Sequence, residues 1–494
     1  MSTDSPVRVR FAPSPTGRFH IGSARTALYN YLIAQQTGGQ FLLRIEDTDE
    51  KRLDPTAEHE IMDSLRWLGL PWDEGPDVGG PHSPYRQSER LALYAVRAQE
   101  LVNGGHAYPC FCSPERLSQL RQQQQRSKQP PRYDGHCRRL EPGESAGRVA
   151  SGESHVIRFK TPKDGQTQAI DLLRGQITVD NQTIDDYVLV KSNGVPVYHL
   201  AAMVDDHEMQ ISHVLRGSEW LPTFPLHVLI YQAFGWDQPV WVHLSVFLNP
   251  SGKGKLSKRQ SGTGQDVHAV YITDMRQLGY LPEAINNWTA LMGWSFDDKT
   301  EFFPIDELID KFSLAKLKPS PAAVNFSKLD HFNGLHLRAL PPAELTDRLL
   351  PWFEAAGLPV ERERLTRIVP IIQDRIRTLD EAVEMAGFFF ADQVSPEPND
   401  LLGKNMDQAQ SAAALTKALT VIQSQESIQA EPLEAELRAL ADELGLSAGQ
   451  LFGMLRVAVT GQRVSPPLLE TMEIEGKASV VDRLERAVAA LTAA

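Results

Sequence analysis

Two stretches of the sequence carry residues whose types and spacing suit the binding of an anion. In PSPTGRFHIGS a Pro/Gly turn leads into a helical pattern, with His20 at the helix start. Helix N-termini present free N–H groups and a positive dipole, so His20 could donate a hydrogen bond to a phosphate there. The second stretch, KGKLSKRQSGTGQ, is rich in glycine and so suits a mobile loop. Its four cations are Lys253, Lys255, Lys258 and Arg259.

Each of these features also has an ordinary explanation. A single histidine before a helix is commonly only a cap, and a basic run is commonly a solvated loop or a targeting signal. The segment VRVRF, residues 7–11, predicts a strand that contains two arginines. It fits either an edge strand with one solvent-exposed face or a strand whose Arg10 points into the crevice where α/β sheets bind ligands.

The elements that must position these residues begin as a strand–helix–strand unit. A strand at 7–12, a helical pattern that starts near His20 and a second strand within 41–49 predict a parallel α/β sheet. After about Cys110, short alternating runs such as HVIRFK and QITVD indicate an insertion of a different class. From about Pro341 the Ala-, Leu- and Glu-rich helical patterns predict an all-α third.

Composition limits the classes of protein that fit this chain. Its 494 residues are too many for one core, at ~100–200 residues per domain. The net charge of −13 excludes a globally basic nucleic-acid binder, although a locally basic groove remains compatible with it. With no signal-peptide pattern and no apolar stretch of ~20 residues, we expect a cytoplasmic protein without a membrane span. Three cysteines are too few for a disulfide framework.

Taken together, the motifs resemble those of a known family. APSPTGRFHIG resembles the HIGH signature of class I aminoacyl-tRNA synthetases in the form used by bacterial-type glutamyl-tRNA synthetases, and KLSKR at 255–259 resembles the second signature of that class. The motifs between them that also resemble the family are RIEDTDEKR, YHLA, VDDH and LRGSEW. The resemblance implies a Rossmann-type parallel-sheet catalytic domain with an α+β insertion, followed by all-α anticodon-binding domains.

The resemblance also implies domain boundaries. The catalytic domain would occupy 1–112 and 196–246, with an inserted domain for the tRNA acceptor end at 113–195. A stem-contact region with the KLSKR loop would occupy 247–330. The anticodon-binding region, in two subdomains, would occupy 331–494.

The activity implied by the resemblance is ATP-dependent ligation of L-glutamate to tRNA(Glu) through a glutamyl-adenylate, with release of AMP and pyrophosphate. His20, Lys255 and Lys258 would be the catalytic residues, because they would hold the phosphates of ATP, with its Mg²⁺, from two sides. The implied ATP-binding positions are Thr16, Gly17, His20, Gly22, Glu219, Lys255, Leu256, Ser257, Lys258 and Arg259. The substrate carboxylate itself attacks phosphorus, so catalysis here needs positioning and electrostatics rather than a nucleophilic side chain.

The glutamate-binding positions implied by the resemblance are Arg10, Ala12, Ser14, Glu46, Tyr198 and Arg216. The two arginines suit carboxylates, because a guanidinium fork binds them bidentately, and Glu46 suits the α-ammonium. A structural ion pair is the alternative for each charged residue. The family often has Asn after YHLA, whereas this chain has Ala202, so a polar contact to the substrate is either lost or replaced by water.

Many family members bind zinc through C-x-C followed by C-x-H. This chain has Cys110, Cys112 and Cys137, but Arg139 stands at the histidine position and cannot be a ligand. Resemblance to the tRNA-modifying glutamyl-queuosine synthetases offers Tyr133 as the fourth ligand that structural zinc needs, and His136 is the other candidate. Three reduced, metal-free cysteines are the alternative to zinc.

The implied partner is tRNA(Glu). Some relatives also charge tRNA(Gln), and the sequence leaves that second tRNA open; a monomer is expected. Four rival functions are a glutaminyl-tRNA synthetase, a tRNA-modifying glutamyl-queuosine synthetase, a nucleotidyltransferase for a smaller substrate and a catalytically dead tRNA-binding protein. The helical last third argues against the first three, and the presence of His20, Lys255 and Lys258 argues against the fourth.

Overall fold

The computed structural model describes residues 6–256, 269–297, 299–391 and 393–493. The chain divides into two compact units. Unit 1 comprises Met1–Asp274 and Asn286–Phe326, and unit 2 comprises Met275–Ile285 and Ser327–Ala494. Nowhere within those described ranges is a helix both long enough and apolar enough to cross a membrane.

The strands are β1 (Arg8–Phe11), β2 (Gln40–Leu43), β3 (Ala107–Cys110), β4 (Val156–Phe159), β5 (Gln166–Asp171), β6 (Gly175–Asp180), β7 (Val188–Val190), β8 (His213–Gly217), β9 (Val240–Leu244), β10 (Phe247–Leu248) and β11 (Ala322–Ala323). The helices of unit 1 and of the crossing between the units are α1 (Ile21–Thr37), α2 (Ala57–Trp67), α3 (Leu91–Asn103), α4 (Pro114–Arg126), α5 (Pro142–Ala150), α6 (Tyr198–Glu208), α7 (Phe224–Phe234), α8 (Ile272–Gln277), α9 (Pro282–Leu291) and α10 (Ile305–Lys311). The remaining helices are α11 (Phe326–Ala339), α12 (Pro342–Ala355), α13 (Arg362–Ile372), α14 (Leu379–Ala386), α15 (Gln408–Ser424), α16 (Ala430–Glu443), α17 (Ala448–Thr460), α18 (Leu468–Glu475) and α19 (Lys477–Ala493).

Parallel strands form the centre of unit 1, as the strand–helix–strand pattern predicts. β1 and β2 pair in parallel, with α1 as the connection between them, and β8 and β9 form a second parallel pair. The two pairs are joined because the carbonyl of Arg8 accepts a hydrogen bond from the N–H of Ser212 at 3.0 Å. Apolar side chains such as Leu200, Val214, Phe224 and Trp241 fill the core around α6, α7 and β9.

The interpretation of β1 as an edge strand with one wet face is wrong. All four of its residues are buried. Arg8 pairs with Glu74 at 2.8 Å and Arg10 pairs with Asp206 at 2.9 Å. Buried guanidinium groups are tolerated when carboxylates pair with them, so the strand keeps its arginines in the interior.

The segment predicted as an insertion contributes strands to two different sheets. β3, β4 and β7 form an antiparallel sheet. The β5–β6 hairpin instead lies at the edge of the sheet that holds β8 and β9, in the order β6-β5-β9-β8. β5 meets β9 in parallel at one pair of residues, Asp171 and Trp241.

The described residues of unit 2 form helices and connecting loops with no strand, as the Ala/Leu/Glu-rich pattern predicts. One apolar cluster runs from Leu281 to Val394 and a second runs from Leu401 to Leu491. Capping boxes begin two of its helices, at Asp407 before α15 and Ser447 before α17. The expected fold class, a parallel-sheet unit with an α+β insertion followed by an all-α region, is confirmed.

Candidate active site

A cavity of about 420 Å³ opens in unit 1 where β1 and β8 end and α1 begins. Every predicted ATP- or glutamate-binding residue within the described ranges lines it: Arg10, Ala12, Ser14, Thr16, Gly17, His20, Gly22, Glu46, Tyr198, Arg216, Glu219, Lys255 and Leu256. The predicted residues Ser257, Lys258 and Arg259 lie outside the described residues. A single concave site of both charge signs therefore collects positions that are more than two hundred residues apart in sequence.

His20 occupies the N-cap position of α1 and lies on the cavity wall. Its Nδ1 accepts a hydrogen bond from the N–H of Gly22 at 3.1 Å. In the neutral ring the proton is therefore on Nε2. The two interpretations of this histidine, as a cap and as a phosphate donor, are compatible, because capping uses only Nδ1 of the ring.

The first two residues of the second signature, Lys255 and Leu256, line the same cavity. The N–H of Leu256 donates to the carbonyl of Phe247 at 2.8 Å, and Lys255 pairs with Leu248. Beyond the undescribed range, the N–H of Ile21 donates to the carbonyl of Val270 at 3.0 Å. The ring of Tyr271 lies edge-on to His20, with the ring centroids 5.9 Å apart. The chain thus leaves the cavity at Leu256 and returns beside the start of α1.

A buried network of alternating charges supports one wall of the cavity. Arg10 donates to both carboxylate oxygens of Asp206, at 2.9 and 3.3 Å. Arg44, which is fully buried, donates to Asp206 at 2.8 Å and to Glu46 at 3.1 Å. Asp206 therefore neutralises much of the charge of Arg10. Arg10 forms the structural ion pair that was the alternative interpretation, and it also lies on the cavity wall.

Glu46 is the buried anion of the site. Burial raises the pKa of its carboxyl from 4.5 to about 7, although Arg44 and Arg10 oppose that increase. A nearby cation favours the ionised form of a carboxyl. An ammonium group that entered the cavity would therefore lower the pKa of Glu46 and be bound by the carboxylate.

Arg216 differs from Arg10 in the kind of partner that surrounds it. It is 4 % exposed and donates to Nε2 of His243 at 3.0 Å, to Nδ1 of His227 at 2.8 Å and to the Tyr198 hydroxyl at 3.2 Å. These partners are uncharged, because burial lowers the pKa of both histidines below 6.5. Among the described residues Arg216 has no ion pair with a carboxylate. Its charge is available to a ligand.

Several cavity residues were not predicted from the sequence. Trp220 stacks on Tyr198, with ring centroids 3.7 Å apart, and lines the cavity. Arg25, buried on α1, donates to the carbonyl of Met292 at 2.6 Å and to that of Ser245. Trp220 lies in the quoted motif LRGSEW and Arg25 lies two residues after PSPTGRFHIGS, so a count of polar and aromatic residues around each motif could have found them.

The structure explains why position 217 is glycine, and it shows where Ala202 lies relative to the cavity. A Cβ at Gly217 would lie 2.2–2.5 Å from the carboxylate of Glu219, so only glycine leaves room for Glu219 to fold back at that point. Ala202 is fully buried and is not among the residues that line the cavity. Ala202 therefore does not provide, at this position, the polar contact to the cavity that an asparagine side chain could make.

The three cysteines form a cluster at one end of β3. Their sulfur atoms lie within 4.8 Å of one another. The hydroxyl of Tyr133 is 3.3 Å from the sulfur of Cys110 and 3.4 Å from that of Cys112. His136 is exposed and its ring is not part of this group. Structural zinc prefers thiolates at ~2.3 Å in a tetrahedral array, and three sulfurs with one phenol oxygen at these separations fit that array.

Comparison with known proteins gives the same family for both units. The family model for the catalytic domain of class I tRNA synthetases (E and Q) matches residues 6–331, and an anticodon-binding domain model matches residues 344–488. A glutamate–tRNA ligase of Dehalococcoides mccartyi is 45% identical over 491 residues, 98% of each chain. That of Roseiflexus castenholzii is 47% identical, over 99% of this chain and 97% of its own length.

A solved structure shows the same similarity in three dimensions. The crystal structure of a glutamate tRNA ligase from Elizabethkingia meningosepticum, in complex with its amino acid, covers 99% of this chain at 35% identity. All of that chain is covered, and the TM-score is 0.88. A second glutamate-tRNA synthetase structure, from Elizabethkingia anophelis, has a TM-score of 0.85 at 36% identity.

Proposed function

The chain belongs to the class I tRNA synthetases of the glutamate and glutamine group, and within it to the glutamate–tRNA ligases. From this premise we propose that it activates L-glutamate with ATP and transfers it to tRNA(Glu) in the cavity described above. One observation carries the assignment of the site: an arginine that has no carboxylate partner in the described part of the chain, a buried carboxylate and a capped helix N-terminus converge in one cavity of about 420 Å³.

The first step joins glutamate to ATP. An oxygen of the α-carboxylate attacks the α-phosphorus of ATP, a P–O bond to that oxygen forms, and the bond to pyrophosphate breaks. In this proposal the Nε2–H of His20 and the N-terminus of α1 hold the phosphates from one side and Lys255 holds them from the other, with Mg²⁺ accompanying ATP. Donors that are fixed before reaction stabilise the charge that develops on the departing pyrophosphate. Lys258, outside the described residues, remains a predicted member of this group.

Glutamate is oriented by its own charges. Arg216 binds the side-chain carboxylate, and Glu46 binds the α-ammonium. Arg10, Ala12, Ser14 and Tyr198 complete the wall of this half of the cavity. In this arrangement the α-carboxylate faces the ATP half, which Thr16, Gly17, Gly22 and Glu219 line.

The cysteine cluster is proposed as a structural zinc site. Cys110, Cys112, Cys137 and Tyr133 would hold Zn²⁺, which would cross-link β3 to the turn that contains Cys137. Without metal, burial raises the pKa of Cys112 to about 11 and raises the pKa of Tyr133 further above its usual range. Zinc supplies the charge that makes their deprotonated forms favourable.

The partners follow from the family. tRNA is the second substrate, with residues 113–195 proposed to bind its acceptor end and residues 331–494 its anticodon; the match of the anticodon-domain model to residues 344–488 supports the latter. We further propose a monomer, as the family resemblance implies, and a cytoplasmic location, because three cysteines are too few for a disulfide framework.

A charging assay tests this function directly. Purified protein is incubated with ATP, Mg²⁺ and labelled glutamate or glutamine, in the presence of pure tRNA(Glu) or tRNA(Gln). We expect glutamate to be attached to tRNA(Glu). Attachment of glutamine in preference to glutamate would refute the substrate, and no attachment at all would support a catalytically dead tRNA-binding protein. The lane with tRNA(Gln) and glutamate decides whether the second tRNA is also charged.

A further inference from the structure

Arg216 is held by a chain of buried histidines that the proposed function does not use. His243, on β9, and His227, on α7, are both 0 % exposed and accept hydrogen bonds from two sides of the guanidinium. On the side of His227 away from Arg216, the Nε2 atom of His227 lies 3.0 Å from Nδ1 of His199 on α6. Three elements therefore supply imidazoles around one arginine.

The contacts fix the tautomer of each ring. His243 accepts from Arg216 at Nε2, so its proton is on Nδ1, which lies 2.8 Å from Asp171. Asp171 is saturated as an acceptor, because it also receives the backbone N–H groups of Leu173, Arg174 and His243 at 2.8–3.0 Å. A carboxylate cannot donate, so it holds His243 in the tautomer that accepts from Arg216.

The hydrogen-bond capacity of Arg216 shows what remains for a ligand. A guanidinium has about five N–H donors in a fixed plane. Three of them reach His243, His227 and Tyr198. The remaining two are enough for a bidentate contact with one carboxylate.

Arg216 differs from the neighbouring Arg10 and Arg44 in the charge of the groups that accept its hydrogen bonds. Arg10 and Arg44 pair with Asp206, which cancels much of their charge. Arg216 is held as firmly, but by neutral acceptors, and the nearest carboxylate in the chain of contacts, Asp171, lies behind an imidazole. The guanidinium is thus oriented without being neutralised.

We propose that His243 and His227, with Asp171 behind His243, are positioning residues that hold Arg216 with an uncompensated charge and thereby make the cavity select a carboxylate over a carboxamide of the same shape. This inference rests on the proposed function, in which Arg216 binds the side-chain carboxylate of glutamate. A neutral amide at that position leaves the arginine without a counter-charge, and a buried charge without a partner is strongly unfavourable.

Two substitutions of His243 distinguish its effect on the orientation of Arg216 from its effect on the charge of Arg216. His243→Gln keeps a neutral acceptor of similar reach, whereas His243→Glu puts a carboxylate against Arg216 and neutralises it. For His243→Glu we expect the KM for glutamate to rise at least about 30-fold with kcat at saturating glutamate changed far less, because binding of ground state and transition state is weakened alike. The ratio of kcat/KM for glutamate to that for glutamine should fall by a similar factor. His243→Gln should change the KM for glutamate by less than about fivefold.

Controls distinguish this role from a merely structural one. His336→Gln replaces another buried histidine, in unit 2, and should leave both amino-acid parameters unchanged. Thermal unfolding is measured for every variant. If His243→Glu does not fold, Asp171→Asn carries the same test: an amide N–H turned toward His243 reverses its tautomer, presents Nε2–H to Arg216 and should again raise the KM for glutamate without an equal loss of kcat.

The inference is overturned if folded His243→Glu and His243→Gln weaken glutamate equally, or if His243→Glu keeps the wild-type discrimination against glutamine. Failure of the proposed function has a different signature, since in that case the wild-type protein itself does not attach glutamate to tRNA.

Discussion

Replacing Glu46 by glutamine should weaken substrate binding and stabilise the protein, with both effects growing as pH rises. At about 1.4 kcal/mol per pH unit, an increase in the pKa from 4.5 to about 7 corresponds to about 3 kcal/mol. The sign follows from linkage: the folded state binds the proton more tightly than the unfolded state does, so the stability that the protonated group contributes is complete below pH ~4.5 and is lost as pH rises through ~7. Above that pH the wild-type protein carries an unfavourable buried charge that Glu46→Gln removes.

The same charge is what the substrate ammonium needs. Losing a buried charged hydrogen bond costs about 2–3 kcal/mol, so the KM for glutamate in Glu46→Gln should rise about 30- to 150-fold at pH 8. In the wild-type protein, glutamate affinity should fall by up to about tenfold per pH unit below pH ~7, because binding must then displace a proton. The variant should lose that dependence.

Charging kinetics from pH 5.5 to 8.5, and calorimetry of glutamate binding in two buffers of different ionisation enthalpy, measure these effects. We expect release of up to one proton per glutamate in the wild-type protein near pH 6 and none in the variant. Thermal unfolding should shift to higher temperature in the variant at pH 8.5 and hardly at all near pH 5. Glu74→Gln is the matched control, because Glu74 is a buried carboxylate outside the cavity lining. An unchanged KM for glutamate across this range, in folded Glu46→Gln, would refute the role of Glu46.

Three further substitutions have definite expected outcomes. Gly217→Ala should turn the carboxylate of Glu219 away, because a Cβ at position 217 would lie 2.2–2.5 Å from it. The KM for ATP should then rise about three- to tenfold, with little change in stability. An unchanged KM for ATP would show that Glu219 is not part of the ATP site. Tyr133→Phe should weaken zinc about tenfold or more in chelator competition, whereas equal affinity would show that another group is the fourth ligand. Arg25→Met removes hydrogen bonds to the carbonyls of Ser245 and Met292 and should lower kcat/KM for ATP in pyrophosphate exchange, while a wild-type value would reduce Arg25 to a packing residue.

Local chemistry made much of the fold predictable. The Pro/Gly turn, the N-cap at His20 and the apolar spacing after it define α1 without any tertiary information, and the Ala/Leu/Glu-rich last third predicts helices in the same way. The wet-edge interpretation of β1 failed because the partner of Arg10, Asp206, lies 196 positions away. Sequence alone offers no means to pair them.

Site residues that lie in sequence motifs could be predicted, whereas residues that reach the site only through tertiary contacts could not. Signature residues such as Lys255 and Glu46 stand within recognisable strings. His227 lies in the apolar run FPLHVLIYQ and His243 in VWVHL, where each looks like an ordinary core histidine. Their role appears only when α7 and β9 bring them to Arg216, so the charge state of the cavity was beyond the reach of sequence patterns.

The single pairing of Asp171 with Trp241 gives the β5–β6 hairpin an importance that its size does not suggest. Asp171 closes the hairpin strand and also anchors His243, so a segment that looks like a removable appendage supplies the last link behind Arg216. A chimaera that exchanged the hairpin with one from a relative of different amino-acid preference would carry over part of the substrate choice. The residues that orient Arg216 therefore extend beyond the strands and helices that line the cavity, into a hairpin of the inserted segment.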